Sequence, residues 1–575
     1  MKKAILFAFL ALTLVMTPVM TQNTQAQGSP VGTLEFEVPP HGTYLIADTG
    51  RPSGGRFVGS PLIIDLAANG LVGGEKILIS YNGTLYPSAH WDGTLGYSIY
   101  QNNFDMWAVF STSNMLLDVS EIHRVPGAIQ TTKTTETPIT YNGKITDIPE
   151  DFEITPYTGM ETEIPLNARY MFVCVGDVLY TDNEGAIKIM IEEDSDGDGL
   201  PNSWEINGID VDKDGQIDLH LQALGADWEH KDIFVEIDYL GFSGSHTHRP
   251  DQGAVNDVIQ AFDLAWLVEN PDNSRGINLH VYIDEALPHN DTITWPSFDQ
   301  LKASHFGTAA ERTNPKNIEA KKQAFHYCIF AHSQVNSSSS GSGEMPGNDF
   351  MVTLGNWTGN TGTREEQAAT FMHELGHNLG LHHGGKDAIN YKPNYISVMN
   401  YLFQTDTYNT GRALDYSWGD SLPLNEANLN ETDGIGSYDE TVWVSPNGTL
   451  CSSGGLLEID WNFDGNVTRS VAVNVNNHVD LDYQSPAGEN LTDFDDWSNL
   501  VYRFRGTLGF ADGQHPMVPE EITLENVQTM RQQALSIADP VIPEFAEWLL
   551  LPVIISFTLI LVMLMRKRKP TVQAC

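Results

Sequence analysis

His373-Glu374-Leu375-Gly376-His377-Asn378-Leu379-Gly380-Leu381-His382-His383 decides how the larger part of this chain is read. Residues four apart share one face of an α-helix, so His373 and His377 can aim imidazole nitrogens at one metal ion. Glu374 stands one position round from the first of them, where a carboxylate can reach water beside the ion without ligating it. Gly380 tolerates positive φ, so the chain can leave the helix there and swing His383 back as third ligand. His382 is the nearest competitor, but the three-residue step from Gly380 selects His383. Three protein ligands leave one position open, and that opening separates a catalytic zinc from a structural one. Upstream, Thr363-Arg364-Glu365-Glu366 supplies a capping box, and Ala368 to Leu381 is rich in helix formers. Local propensity therefore favours the helix that the metal chemistry needs.

The stretch fits H-E-x-x-H-x-x-G-x-x-H, and Ser397-Val398-Met399-Asn400-Tyr401 follows it. Together they resemble the metzincin zinc endopeptidases, and the Ser-x-Met-x-Tyr form looks like the astacin and serralysin branches. The resemblance implies that His373, His377 and His383 bind catalytic Zn2+ and that Met399 forms a turn beneath it. Tyr401 would lie beside the metal, to ligate it at rest or to donate a hydrogen bond to an oxyanion. Zinc would lower the pKa of bound water towards about 7, with Glu374 taking the proton as general base and passing it to the leaving nitrogen. Protein or peptide substrates are expected.

Reading outward, the expected architecture is multidomain: an N-terminal all-β sandwich followed by an α+β, metzincin-like zinc protease domain. Between about residues 28 and 190, runs such as Leu62-Ile63-Ile64, Lys76-Ile77-Leu78-Ile79 and Ile187-Lys188-Ile189-Met190 alternate with Gly, Pro and Asn clusters, as in a sandwich. Its last part resembles calcium-dependent, galactose-binding-like lectin sandwiches, which would make Asp177, Asp182 and Asn183 candidates for calcium and a glycan. A purely structural sandwich fits the same residues.

Residues 194–222 read as calcium-binding loops. Asp194, Asp196, Asp198 and Asn202 fall at loop positions 1, 3, 5 and 9, Leu200 offers its carbonyl at 7, Gly199 takes the turn at 6, and Glu205 stands at 12. Asp210, Asp212, Asp214 and Asp218 begin a second loop, but Leu221 holds its position 12, so a last ligand must come from elsewhere. Both resemble the Asp-rich repeats of thrombospondin type 3, and calcium there would stiffen the joint between sandwich and protease. Asp460, Asn462 and Asp464 repeat the opening spacing without a closing Glu.

The catalytic domain is expected over residues 228–538. It opens with a strand at Ile233 to Tyr239, a helix at Gln252 to Val268 and a strand at Ile277 to Ile283. Phe350 to Leu354 would be the edge strand where a substrate adds, beside a flexible Ser- and Gly-rich loop at Ser337 to Gly343. His246 and His248 read as ordinary loop residues. A terminal helix is expected near Pro519 to Leu535.

The ends address the chain. Met1-Lys2-Lys3, an apolar run and cleavage after Ala26 read as a secretory signal over residues 1–26. At the other end, residues 543–569 carry Pro543-Glu544-Phe545, an apolar run from Leu549 to Met565, and Arg566-Lys567-Arg568-Lys569. That tail resembles archaeal PEF-type sorting signals, and a permanent single-span anchor explains it equally well. Either places the protein at the cell surface. The net charge of −44, from 31 basic and 75 acidic residues, disfavours nucleic acid as partner. Cys174, Cys328 and Cys451 allow one disulfide, Cys328 with Cys451 being a candidate pair. Sequons at Asn82, Asn290, Asn336, Asn356, Asn430, Asn447, Asn466 and Asn490 would accept surface glycans. The competing class is a surface adhesion or glycan-binding protein in which the zinc fold is secondary.

Overall fold

The computed structural model describes residues 33–46, 59–86, 106–116, 125, 127–128, 150–154, 160–176, 180, 183–405, 414–445, 450–478, 485–506, 512–513, 515 and 521–537. The signal segment 1–26, Asp177, Asp182 and the C-terminal segment 543–569 lie outside them. Among the described residues no helix is long and apolar enough to cross a membrane. The chain forms two compact units that part at Ile209, with Asp210–Leu219 belonging to the second and His220–Trp228 to the first.

The first unit consists of antiparallel β-sheets. Strands β1 (Leu34–Val38), β2 (Leu62–Asp65), β3 (Lys76–Tyr86), β4 (Met106–Ser111), β5 (Asp151–Ile154), β6 (Met160–Glu163), β7 (Tyr170–Val175) and β8 (Glu184–Glu193) form two four-stranded sheets, ordered β1-β8-β3-β6 and β2-β7-β4-β5. Alternate residues from both sheets, including Ile77 and Ile79, Met171 and Val173, Ile187 and Ile189, fill one shared core, as the period of two along a half-buried strand requires. A short helix, α1 (Asn202–Asn207), follows the first acidic loop.

The second unit is mixed α/β around a parallel sheet. Strands β9 (Asp232–Leu240), β10 (Asn278–Leu287), β11 (Phe325–Phe330), β12 (Gly341–Gly343) and β13 (Asp349–Val352) take the order β10-β9-β11-β13-β12. The first four run parallel, and β12 is antiparallel to β13. Ile233, Val235 and Ile237 of β9 face a core shared with α2 (Gln252–Asp263) and the helix that carries the histidine motif. Helices α3 (Trp295–His305) and α4 (Pro315–Ala324) precede β11. Helix α5 (Arg364–Asn378) carries the motif, and beyond it come short ladders, β14 (Leu424–Asn425) with β17 (Asn490–Leu491) and β15 (Glu440–Val444) with β16 (Leu450–Gly454), then α6 (Leu524–Ile537).

Several expectations need correction. The sheet edge is β12, not Phe350 to Leu354: Ser340 to Gly343, read as flexible loop, are buried and paired to β13. A Gly-rich strand is invisible to β-propensity, yet side-chain-poor backbone is what fits beneath a crowded helix. Helix α2 ends at Asp263, and a turn through Phe262 and Ala265 carries Val268 back to the core. Cys174, Cys328 and Cys451 are buried and joined in no disulfide, so the Cys328 to Cys451 pair is not formed.

Candidate metal centre

Helix α5 starts as its sequence dictates. Thr363 accepts a hydrogen bond from the Glu366 amide while Glu366 reaches back to the Thr363 amide at 2.8 Å, a complete capping box. The helix ends in a Schellman pair: Gly380, at φ 87°, donates to His377 O, and Leu381 donates to Gly376 O, each at 2.9 Å. That reversal carries His383 round to His373 and His377. The three rings form one group, with centroids 4.7 Å apart for His373 and His377, 4.9 Å for His377 and His383, and 5.3 Å for His373 and His383.

Outer hydrogen bonds orient the rings. His373 Nδ1 contacts Val398 O at 2.8 Å and His377 Nδ1 contacts Leu381 O at 2.7 Å; a carbonyl can only accept, so both Nδ1 atoms carry the proton and both Nε2 atoms face inward as lone-pair donors. Burial pushes His377 down to about 4 and lowers His383, which keeps both imidazoles neutral as ligation requires. The inward Nε2 atoms of His373 and His377 are 3.1 Å apart. That is close to the edge of about 3.3 Å that bonds of 2.0–2.1 Å define in a tetrahedral zinc site. These residues fit a zinc-class ion.

Beneath them lies the turn holding Met399. A methyl group on Gly376 would come within 2.4 Å of Met399 Sδ, so the helix carries glycine where the turn presses against it. Asp496 fastens the turn from below, accepting from Ser397 Oγ at 2.6 Å, Tyr395 OH at 2.9 Å and the Ser417 amide at 2.9 Å. Tyr401 packs with its ring centroid 4.5 Å from that of His383. Burial and the Glu521 charge hold its phenol well above the ordinary value, so it stays protonated as a donor.

Two buried carboxylates complete the site. Glu374 has neither oxygen hydrogen-bonded among the described residues, and Gly341 of β12 lies so close that a Cβ there would sit 2.3 Å from Glu374 Oε1. Burial first, and the Glu521 charge second, raise Glu374 well above the ordinary carboxylate range. Glu521 meets all three imidazoles, at 2.8 Å from His373 Nε2, 3.1 Å from His377 Nε2 and 3.4 Å from His383 Nε2. Burial opposes its ionisation, but the three histidines together hold it well below the ordinary range. Its segment lies along the sheet edge: Thr523 bridges Ser339 in antiparallel fashion, and Ser340 N donates to Ile522 O at 2.9 Å. Sequence reading missed Glu521 and Asp496, because neither stands at any informative spacing from the histidines.

The acidic loops are real clusters. Asp194, Asp196 and Asp198 bring carboxylate oxygens together and are buried, so a divalent cation could be held there. Glu205 is buried on α1, and Asn202 accepts from the Ser195 amide at 2.8 Å. Asp210, Asp212 and Asp218 form a second, more exposed group. Asp214, with Asp212, takes an ion pair from Lys316, and its amide donates to Asp210 at 3.2 Å. One turn recurs: Asp194, Asp210 and Asp460 each accept the amide five residues on, from Gly199, Gly215 and Gly465, at 3.1, 2.7 and 2.7 Å. Around Asp460, Asn462 accepts the Asp464 amide at 3.1 Å and Asp464 accepts the Asn466 amide at 2.8 Å, all on the exposed surface. In the sandwich, Asn183 is buried and donates to Pro40 O at 3.0 Å, a structural use of the side chain.

No family model matches this chain, and no curated protein sequence matches it.

Proposed function

We propose that this protein is an exported, zinc-dependent endopeptidase of the metzincin kind, acting on protein or peptide substrates at the cell surface. The observation that carries the reading is Glu374, a buried carboxylate with no hydrogen-bond partner among the described residues, next in sequence to the first of three converged imidazoles. An unpartnered buried carboxylate is expensive to keep. A purely structural ion has no use for one, whereas hydrolysis needs a base at that place.

When bound by His373, His377 and His383, a zinc-class ion would activate water and polarise the scissile carbonyl. Glu374 takes the proton from the attacking water and returns it to the leaving nitrogen, a task that suits its raised proton affinity. The protonated Tyr401 phenol donates towards the oxyanion. The edge strand β12 offers its backbone to an extended substrate chain beside Glu374. In the conformation described, residues 521–523 lie against that edge and Glu521 would add a fourth ligand to the three histidines on the ion, which makes a latent state. Calcium in the Asp194 loop suits its hard oxygen donors. Export and surface retention rest on the two ends of the sequence.

The test is Glu374→Gln in the full-length protein, with zinc content and peptide cleavage measured together. Zinc retained with turnover reduced by about 10²-fold or more is expected; near-normal cleavage by the zinc-loaded variant would reject the reading. An adhesion role without catalysis predicts no zinc-dependent cleavage by the wild-type protein in the same assay.

A further inference from the structure

We propose that His246, His248, His289 and His332 form a second metal site, a four-imidazole centre that takes a zinc-class divalent ion and staples the carboxyl ends of three neighbouring parallel strands. His246 and His248 follow β9, His289 follows β10 and His332 follows β11, so the parallel sheet brings to one place residues the sequence keeps far apart. Read as a pair in a loop, His246 and His248 lacked a third ligand; the fold supplies a third and a fourth.

The geometry is that of a closed donor set. All six ring-centroid separations fall between 4.8 and 5.6 Å. His332 Nδ1 lies 3.3 Å from His246 Nε2 and 3.1 Å from His248 Nε2. Those lengths match the edge of about 3.3 Å expected between nitrogens on one tetrahedral zinc ion.

Hydrogen bonding among the rings cannot satisfy them. An imidazole nitrogen carries either one proton or one lone pair, so His332 Nδ1 can bond to only one of its two neighbours. The side chain of His289 is 10% exposed, and its Nε2 is buried with no hydrogen-bond partner among the described residues. One divalent ion would use every inward lone pair. The outer nitrogens are held for that role, His246 Nδ1 by Ser245 Oγ at 3.1 Å and His289 Nδ1 facing Asp291 at 3.7 Å. Gly355 leaves room for the His332 ring, because a Cβ there would lie 2.5 Å from Nδ1.

Four protein ligands leave no open position, so this ion would be structural. What it would hold connects to the first site. Ile293 bridges Gln334 just beyond His332, and the Gln334 amide donates to Gly341 O at 2.6 Å, on the strand that presses against Glu374. The proposal stands on its own residues and does not depend on the protease reading.

The test counts metal in full-length protein purified with excess Ca2+, which keeps the oxygen-rich loops filled. His289→Ala/His332→Ala should carry one zinc ion per chain fewer than wild type. As a guard against misfolding of that variant, His373→Ala/His377→Ala, which leaves the four histidines intact, is loaded with Co2+. It should bind one equivalent and show the strong visible bands of a tetrahedral ion. An unchanged count in the His289/His332 variant, or no Co2+ in the complementary variant, would each overturn the proposal.

Discussion

At the scale of single residues, two buried glutamates have opposite roles. Glu374 has no hydrogen-bond partner among the described residues, and Glu521 lies against all three histidines. If Glu521 occupies the place that water and substrate need, weakening it should release activity. Glu521→Gln keeps the shape but removes the charge that would hold this side chain on the ion, an interaction of the charge-assisted kind worth about 1.5–3 kcal/mol. Peptide cleavage is expected to rise roughly tenfold or more at unchanged zinc content. Turnover that stays level or falls in the variant would show that Glu521 does not restrain the site. Asp496 has no such freedom: three donors on the Met399 side of the site end on its carboxylate, so its role is to hold the turn in place.

At the scale of elements, α5 and β12 are matched surfaces. The helix presents Glu374 and His377, the strand presents Gly341 and Gly343, and the two layers approach too closely for side chains at either glycine of the strand. Gly341→Ala should therefore push the Glu374 carboxylate aside. A displacement of about 1 Å at a catalytic group can cost about 10²-fold in rate, so a fall of that order in kcat is expected, with zinc content preserved. Unaltered kcat in a folded Gly341→Ala protein would mean that β12 does not position Glu374. The capping box, the Schellman end and the alternation of β9 were all legible locally, because each depends on residues within a few positions of one another. The three-residue β12 was not, since its pairing with β13 owes nothing to its own side chains.

At the scale of the whole molecule, the fold buries neutral histidines, and stability should follow their titration. His478 is stacked on Tyr391 with ring centroids 4.6 Å apart, and neither of its nitrogens is hydrogen-bonded. Burial pushes it from an ordinary 6.5 down to about 3. The folded state therefore binds the proton more weakly than the unfolded chain. Its contribution is fully present above pH 6.5 and is lost as pH falls towards 3. His478→Phe, of similar shape, removes that loss. Compared by thermal unfolding, the variant should gain on wild type as pH drops from 6.5 to 4, while the gap stays constant above pH 7. A gap independent of pH would show that the imidazole is not buried neutral.

The sequence by itself determined the local chemistry: a helix with two histidines on one face, a glycine reversal that returns a third, a carboxylate beside them, and Asp-rich turns closed by glycine. Spacing and backbone freedom act over a few residues, so they can be read without a fold. Only the tertiary structure decided which distant groups join them. It set Glu521 against the three imidazoles, Asp496 beneath the turn, and the glycine edge against Glu374. It also gathered His289 and His332 around His246 and His248, because parallel strands end side by side whatever length of chain separates them.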